Sequence, residues 1–312
     1  MTCVLVGLSL AACGSHSTSR ARTSTHATQV NGVTVTVNAE AAAMLPARYK
    51  SGLQLVTSAP YTPFEVYGPG KTLTGLDIDM GNAIAATLGT KATWTSVPFE
   101  GVVGGLAAHK YDFGLADYGA TDARLRALDF VTYFQQGDAL IVPKGNPGHI
   151  QGMQSMCGKK LLVEAGVSPE SFVSPTQKLC ADSGKPAVSV TFLPSQASLL
   201  LGLQSKQGDA TILTYPAAKA LESSSQRSEV SMVPLPPSMP GGIVPKYIGV
   251  ALAKNQTPLR DAVAAALRSM LAHGTITQIF RKYGLQELVT PTIHVNEVLS
   301  PSPAFPSDAT AG

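Results

Sequence analysis

The sequence has few charged residues and no long apolar run. Charged residues make up 14% of the chain and hydrophobic residues 44%, which argues against a disordered protein, since disorder needs low hydrophobicity and high charge. The formal net charge is only +3, too small a surplus to indicate a nucleic-acid-binding surface. No apolar run reaches the roughly 18–20 residues that a membrane-spanning helix needs. At 312 residues, the chain is expected to be globular and to form two domains.

Motifs of catalytic and cofactor sites are also missing. Pro69–Thr72 ends like a phosphate-binding P-loop, but Glu65 stands where that motif needs its first glycine, so a turn between two short strands explains the segment better. Neither G-x-S-x-G nor G-x-G-x-x-G is present. The six histidines are scattered, which argues against a zinc or haem site. The sequence predicts no cofactor, no metal site and no enzymatic activity.

The first residues have the pattern of an export signal. Val4–Ala12 is an apolar run too short to span a membrane and of the length expected for the core of a signal peptide. Leu10–Gly14, with the sequence Leu-Ala-Ala-Cys-Gly, resembles the lipobox of bacterial lipoproteins. That resemblance implies a signal peptide over residues 1–12 and a lipid on Cys13, which would anchor the exported chain to the extracytoplasmic face of the membrane. The positive residue that is expected before the apolar run of a signal peptide is absent. The alternative to a lipobox is an apolar start of the chain with an incidental cysteine.

The remaining cysteines point to the same compartment. Of the four cysteines, cleavage would remove Cys3 and lipidation would use Cys13, which leaves Cys157 and Cys180. A disulfide between them closes a short loop and would stabilise the fold by about 3 kcal/mol. Disulfides persist outside the cytosol. Two buried free thiols are the alternative.

Two polar segments flank a core of alternating strand and helix signals. Ser15–Val37 is rich in Ser, Thr, Ala and Asn and predicts a flexible tether. Thr290–Gly312 contains four prolines without periodicity and predicts a disordered tail. Strands are expected at Leu53–Thr57, Ala92–Val97, Tyr111–Ala116, Lys160–Glu164, Pro186–Phe192, Ala210–Leu213 and Val230–Leu235, with helices between them. This alternation predicts an α/β fold, in which ligands bind at the carboxyl ends of strands.

Polar and aromatic residues gather at the ends of the predicted strands. Pro60–Glu65 follows the first strand, and its two prolines hold the chain extended. Thr121 is expected to cap a short helix that carries Arg124. An arginine beside free helix amides forms a carboxylate site through charge-assisted hydrogen bonds and the helix dipole. The alternative is an exposed ion pair of that arginine with Asp122 or Asp129.

Ten segments, in order along the chain, carry a resemblance to one known family. They are Pro60–Glu65, Leu73–Asp79, Lys110–Asp112, Thr121–Arg124, Leu128–Phe130, Cys157–Lys160, Gly166–Glu170, Gly208–Ala210, Ile248–Leu252 and Gly274–Leu285. Together they resemble the extracellular solute-binding proteins, family 3, of polar amino-acid ABC importers. The resemblance implies a two-lobed, type II periplasmic-binding-protein fold with two hinge strands. Lobe 1 would comprise residues 45–142 and 247–285 and lobe 2 residues 143–246, after a tether over 13–44 and before a tail over 286–312.

The resemblance also implies how the ligand carboxylate is bound. Arg124 corresponds to the arginine that grips the α-carboxylate. Gly119 corresponds to a Ser or Thr of the family, so that only its backbone amide remains to help. Ser168 corresponds to a Thr of lobe 2 that bonds the same carboxylate. Thr121, at the start of the helix that carries the arginine, is included in the expected site.

The rest of the expected site departs from the family at charged positions. Tyr61 and Phe99 correspond to aromatic walls around the ligand side chain. Thr214 stands where the family has an aspartate that pairs with the ligand ammonium, whereas Asp117 stands where the family has Ser or Gly. We therefore expect the aspartate to pair with the ammonium from lobe 1; a ligand that is not an α-amino acid is the rival explanation. Ser58 replaces an aspartate of basic-amino-acid binders, which disfavours lysine or arginine.

These observations favour the interpretation that the chain is the substrate-binding component of an ABC importer. It would capture a small polar solute, in first place an amino acid, by hinge closure, and deliver it to a membrane permease. It is expected to act as a monomer and to bind no nucleic acid. Two other classes stay open. One is an enzyme of the related dehydratase type, with Asp117 or Glu164 as general acid or base; the other is a surface or sensor lipoprotein that has lost ligand binding.

Overall fold

The chain forms a mixed α/β structure. The structure, a computed structural model, describes residue 1 and residues 27–167, 169–234 and 242–299. Within these residues strands and helices alternate along most of the chain, so the predicted α/β class is confirmed. In the same part of the chain, no helix combines the length and the apolar character that a bilayer span requires.

The elements follow one another in the order that the sequence pattern indicates. The strands are β1 Ala27–Val30, β2 Val33–Thr36, β3 Leu53–Thr57, β4 Val66–Tyr67, β5 Leu73–Thr74, β6 Ala92–Ser96, β7 Phe113–Gly114, β8 Leu128–Pro143, β9 Lys160–Glu164, β10 Ser189–Leu193, β11 Ala210–Thr214, β12 Val230–Met232, β13 Ile243–Ala253 and β14 Val289–Val295. The helices are α1 Ala39–Met44, α2 Leu76–Thr87, α3 Phe99–Ala107, α4 Asp122–Leu125, α5 Pro169–Asp182, α6 Gln196–Gln204, α7 Tyr215–Glu222, α8 Thr257–Ala272 and α9 Thr275–Arg281. The strand expected over Tyr111–Ala116 is shorter, because only β7 pairs with its neighbours.

Two long antiparallel strands join two parallel sets of strands into one sheet. The strand order is β10-β9-β11-β8-β13-β7-β3-β6, and β12 and β14 also pair with β8. On one side β3 is parallel to β6 and β7, and on the other β9 is parallel to β10 and β11. Between them lie β8 and β13, which are 16 and 11 residues long and pair antiparallel, with Ala253 opposite Leu128 at one end and Ile243 opposite Asp138 at the other. Parallel strands bring their carboxyl ends to one edge, and both sets are fixed to this central pair.

The buried apolar residues divide into clusters on either side of this central pair. Residues 27–134 and 248–299, here called the first half, contain the clusters around Phe280 and Phe130. Residues 139–234 and 242–244, here called the second half, contain the clusters around Phe172 and Leu200. Each half therefore has its own core, linked through β8 and β13. The lobe limits given above remain a prediction.

A disulfide joins Cys157 to Cys180. It connects the segment before β9 to α5, and Cys180 is fully buried. The predicted pairing is confirmed. Cys13 and the expected signal peptide lie outside the described residues, so the lipid anchor remains a prediction.

The expected tether over residues 13–44 is wrong for residues 27–44. Residues 27–36 form the antiparallel hairpin β1–β2, and Asn38 caps α1 by accepting from the Ala41 amide at 2.8 Å. The reason is an alternation that the polar composition conceals, because Val33 and Val35 point inward and are 5% and 2% exposed. Their burial against the first-half core fixes the segment.

The expected disordered tail over residues 286–312 is wrong for residues 286–299. Here β14 pairs with β8, with Val289 opposite Phe134 and Val295 opposite Val131. Its β-branched residues favour a strand, and the side chain of Asn296 accepts from the Phe130 amide at 2.8 Å. Residues 300–312 lie outside the described residues.

Candidate functional site

A small cavity lies between the two halves. Its volume is about 80 Å³, well below the roughly 300 Å³ at the lower end of ligand pockets, so the halves are close together. It is lined by Ser58, Tyr61, Glu65, Phe99, Ala116, Asp117, Gly119, Arg124, Asp138, Glu164, Val167, Phe172, Ile212, Leu213, Thr214, Lys246 and Ile248. Both halves contribute, as expected of a site that opens and closes by their relative movement.

Stacked aromatic rings form one wall of the cavity. Phe99 begins α3 directly after β6, and its ring stacks on that of Tyr118 with centroids 4.8 Å apart and planes at 12°. The Tyr118 hydroxyl donates to the Phe99 carbonyl at 3.0 Å, which fixes the pair. Tyr61 follows β3 on a turn that bridges back to Glu65. Such rings provide flat apolar surface at little cost in conformational entropy.

Arg124 lies over this wall and reaches both halves. Its helix α4 is capped by Thr121, whose hydroxyl accepts from the Arg124 amide at 3.3 Å. The guanidinium lies 4.9 Å from the Tyr118 ring centroid and 5.7 Å from that of Phe99. Its two terminal nitrogens donate to the carbonyl of Gly119 at 3.0 Å and to that of Gly166 at 3.2 Å. The arginine is therefore held in place by stacking and by backbone acceptors, with its charge at the cavity.

Three carboxyl groups are buried together at the cavity, and two of them, those of Glu65 and Asp117, line it. Glu65, Asp77 and Asp117 are 1%, 1% and 8% exposed. The Asp77 carboxylate accepts from the Asp117 amide at 2.7 Å, and Gln136 donates to Asp117. Among the described residues, Glu65 Oε2 has no hydrogen-bond partner, and no group of acidic, His or Cys side chains is arranged to hold a metal ion. A molecule that enters the cavity would therefore meet the buried carboxyl groups of Glu65 and Asp117.

Burial makes these carboxyl groups hold their protons. It raises the pKa of Asp77 to about 7 and also that of Glu164, across the cavity, to about 7. The pKa of Asp117 is raised well above its usual range by burial and then by the charge of Asp77, and that of Glu65 is raised by the same two causes. A carboxyl group that is desolvated beside others favours its neutral form. The cluster therefore gains negative charge only when a cation comes near or the pH rises.

Direct contacts close the cavity across the two halves. The Thr214 amide donates to the Tyr61 hydroxyl at 3.1 Å, and the two side-chain hydroxyls are 3.2 Å apart. Gly166 packs so tightly that an added Cβ would lie 2.9 Å from the Glu100 Cα, and its φ is +92°. These contacts describe a closed arrangement in which first-half and second-half backbone touch.

Most of the residues expected at the site line this one cavity. Those that do are Ser58, Tyr61, Phe99, Asp117, Gly119, Arg124 and Thr214. Thr121 does not line it and acts as the cap of α4, while Ser168 lies outside the described residues. Sequence reasoning missed the ion pair of Lys246 with Asp138 in the cavity wall. The available signal was a lone lysine within the otherwise apolar strand β13.

Comparison with known proteins places the chain in one family. The sequence profile of the bacterial extracellular solute-binding proteins, family 3, matches residues 53–286. This chain is a family 3 solute-binding protein. It is 25% identical to the L-arginine-binding protein of Pseudomonas aeruginosa over 72% of this chain and 85% of that one. It is 26% identical to the lysine/arginine/ornithine-binding periplasmic protein of Escherichia coli over 74% and 86%.

The fold of this solute-binding protein matches solved structures as well. An ancestral arginine-binding protein bound to glutamine superimposes with a TM-score of 0.65 at 28% identity, over 74% of this chain and 97% of that one. The predicted family and the two-lobed, type II periplasmic-binding-protein fold are therefore confirmed. The hairpin β1–β2 and strand β14 lie outside the residues that the family profile matches.

Substituting Gly166 should separate the two halves. In Gly166→Ala the added methyl group meets first-half backbone at 2.9 Å, so we expect the unliganded solute-binding protein to shift towards an open form with a larger radius of gyration in small-angle X-ray scattering. The control is Gly184→Ala, because Gly184 has a φ of +62° but nothing within 4 Å of the added Cβ. An equal radius in wild type and Gly166→Ala would contradict the closed arrangement.

The carboxyl cluster should make the unliganded protein less stable as the pH rises. A carboxyl group with a raised pKa in the folded state contributes stability below its ordinary pKa, and that contribution is lost as the pH rises through the folded value. With Asp77 and Glu164 at about 7, the free energy of unfolding in urea should fall between about pH 5 and pH 8. Asp117→Asn should reduce this slope.

Asp182→Asn is the matched control, since Asp182 is an exposed partner of Lys178. Its slope should equal that of the wild type. A slope unchanged by Asp117→Asn would show that the cluster does not titrate in this range.

Proposed function

We propose that this chain is the extracytoplasmic substrate-binding component of an ABC importer and that it captures an α-amino acid by hinge closure. The observation that carries the proposal is that a guanidinium group, that of Arg124, and a buried carboxyl group, that of Asp117, line the same small cavity. An α-amino acid presents a carboxylate and an ammonium group that these two side chains complement. Relatives named for binding arginine support the same ligand class.

The proposed carboxylate site consists of Arg124 and the backbone of Gly119. A guanidinium held by aromatic stacking loses little further freedom when it binds a carboxylate, and its planar fork matches the geometry of that group. In the liganded state, the carboxylate would take up the donors that now contact the Gly166 carbonyl. Ser168 remains the expected contribution of lobe 2.

The proposed ammonium site is Asp117. A buried ammonium needs an anion close by, since an unpaired charge costs several kcal/mol. Thr214, in the second half, carries no charge, so the first-half aspartate supplies that anion. Its raised pKa means that it holds a proton before the ligand enters, and the positive charge of an ammonium group beside it would favour the carboxylate form.

The ligand side chain would lie between the aromatic residues Tyr61 and Phe99, near Ser58. Aromatic walls accept aliphatic or planar groups without demanding a charge. The proposal therefore specifies the α-amino and α-carboxyl groups and leaves the choice among side chains to experiment. Once closed on its ligand, the protein would deliver it to the permease.

A dehydratase-type enzyme is the alternative that a specific observation favours. Glu164 lines the cavity with a pKa of about 7, which suits a general acid. Mass analysis of ligand recovered after prolonged incubation separates the two functions: unchanged ligand supports the receptor, and conversion supports the enzyme.

Removing the arginine should weaken ligand binding strongly. Refolded wild-type protein is screened by thermal shift against the twenty amino acids, polyamines and organic acids, where ligand at a thousand times its dissociation constant stabilises by about 4 kcal/mol, or several degrees. Arg124→Ala should weaken the dissociation constant of the identified ligand about 100-fold, through loss of a charge-assisted pair worth about 3 kcal/mol.

Arg126→Ala is the control, because Arg126 follows the same helix and is exposed. Its affinity should stay within about twofold of the wild type, since that residue does not line the cavity. A panel without any stabilising amino acid, or an Arg124→Ala protein that binds as well as the wild type, would refute the proposal.

Lipidation at Cys13 should decide where the protein resides. In cells that express the full chain, the wild type should fractionate with membranes and incorporate labelled palmitate. Cys13→Ala should appear in the fraction released from the cell envelope. Cys3→Ala, which changes a residue inside the proposed signal peptide, should behave like the wild type. Membrane retention of Cys13→Ala would rule out a lipid anchor at this residue.

A further inference from the structure

A second cation lines the cavity beside the proposed carboxylate site. Lys246, on β13, contributes to the lining together with Asp138 of β8, and its amine forms an ion pair with that aspartate. The two side chains are 16% and 10% exposed. The β8–β13 register shifts between Ile243 and Lys246, and such irregularities redirect side chains. The lysine therefore points into the cavity although it lies in a long paired strand.

The lysine chain fills the space beside Gly119. A Cβ on Gly119 would lie 3.0 Å from the Lys246 Cδ, 3.3 Å from its Cβ and 3.4 Å from the Ile248 Cδ1. The backbone at this glycine is not left-handed, so backbone conformation does not demand the residue. The constraint is one of space: an added Cβ would require the lysine side chain beside it to shift by a few tenths of an ångström.

The two cations of the cavity therefore border the same residue. Arg124 donates to the Gly119 carbonyl at 3.0 Å, while Lys246 passes over its α-carbon. An ammonium has three donors, and among the described residues the lysine amine has a hydrogen bond to Asp138 only. It retains donors for a further acceptor in the cavity.

Lys246 is already paired with Asp138, and a ligand carboxylate would be a second acceptor for its ammonium group. Asp117 lies near enough to the lysine to feel its charge, and in the proposed function it is neutralised by the ligand ammonium. Each charge of a zwitterionic ligand then has a complement, which a desolvated site requires.

We propose that Lys246 is a second binding residue for the ligand carboxylate, acting with Arg124 on either side of Gly119. Asp138 holds the lysine amine in position and stays paired with it in the complex. This inference rests on the proposed function. It extends that function by making the site select for a free carboxylate over a carboxamide.

The first test compares an amino acid with its α-carboxamide. The probe is whichever L-amino acid most stabilises the wild type in the thermal screen, and calorimetry gives its dissociation constant. Lys246→Met keeps the aliphatic volume but removes the charge, and should weaken binding of the acid by about tenfold or more, the effect of one charge-assisted hydrogen bond. Affinity for the carboxamide should remain unchanged.

Two further variants exclude indirect effects. Lys254→Met is the matched control, because Lys254 directly follows β13 and also pairs with an aspartate of β8, Asp129, but does not line the cavity. Its affinity should equal that of the wild type. Lys246→Met with Asp138→Asn removes the aspartate left without a partner. If affinity for the acid returns in this double variant, the lysine only neutralised Asp138 and the proposal is wrong.

The packing between the lysine and the glycine gives an independent readout. Gly119→Ala should displace the lysine and weaken acid binding, whereas the same change in a Lys246→Ala background should have no additional effect. Additive effects would contradict the shared space. A wild-type protein that binds none of the amino acids overturns the proposed function and this inference together. Loss of binding in Arg124→Ala with full binding in Lys246→Met overturns this inference alone.

Discussion

The antiparallel pairing of β8 with β13 is the constraint on which the rest of the structure depends. From Leu128 to Phe134 the first strand belongs to the first half, and from Asp138 onwards it pairs with β11 and β12 of the second. Both cores are therefore attached to the same two strands. The pairing is irregular between Ile243 and Lys246, where the chain passes from one half to the other. Because the β8–β13 ladder has fewer regular hydrogen bonds at that point, it bends more readily there than at its two ends. The cavity lies beside this irregular point.

The cations and the acids of the cavity are stabilised in different ways. Its cations are held by specific contacts, Arg124 by rings and carbonyls and Lys246 by Asp138. Its acids, in contrast, are crowded together and hold protons because desolvation and mutual repulsion disfavour their charged forms. An empty cavity of this kind avoids carrying several unpaired charges. The negative charge develops as a cationic group arrives, so burial of the acids and recognition of an ammonium are two consequences of one arrangement.

Much of the fold and site could be predicted because the signals are local. Tyr61 and Arg124 belong to short motifs next to strand ends, where chain direction alone places them at the ligand edge. The Lys246–Asp138 pair joins residues 108 positions apart, and only the β8–β13 register brings them together. The secondary structure of residues 27–44 and 286–299 could not be predicted for another reason, which is that the composition of both segments is polar. The few valines that decide their structure, such as Val33 and Val35, are buried by contacts with distant elements.

The distribution of charge between the halves determines the order in which a ligand would be recognised. Under the proposed function, Arg124 and Asp117 lie in the first half and Lys246 lies at the crossing, so the charged groups of the ligand are bound before the second half arrives. The second half then contributes further contacts, of which the bond between Thr214 and Tyr61 is the clearest. Because that bond needs no ligand atom, closure is supported by protein contacts alone. A ligand therefore acts by adding its own contacts to a closed form that the chain can already reach.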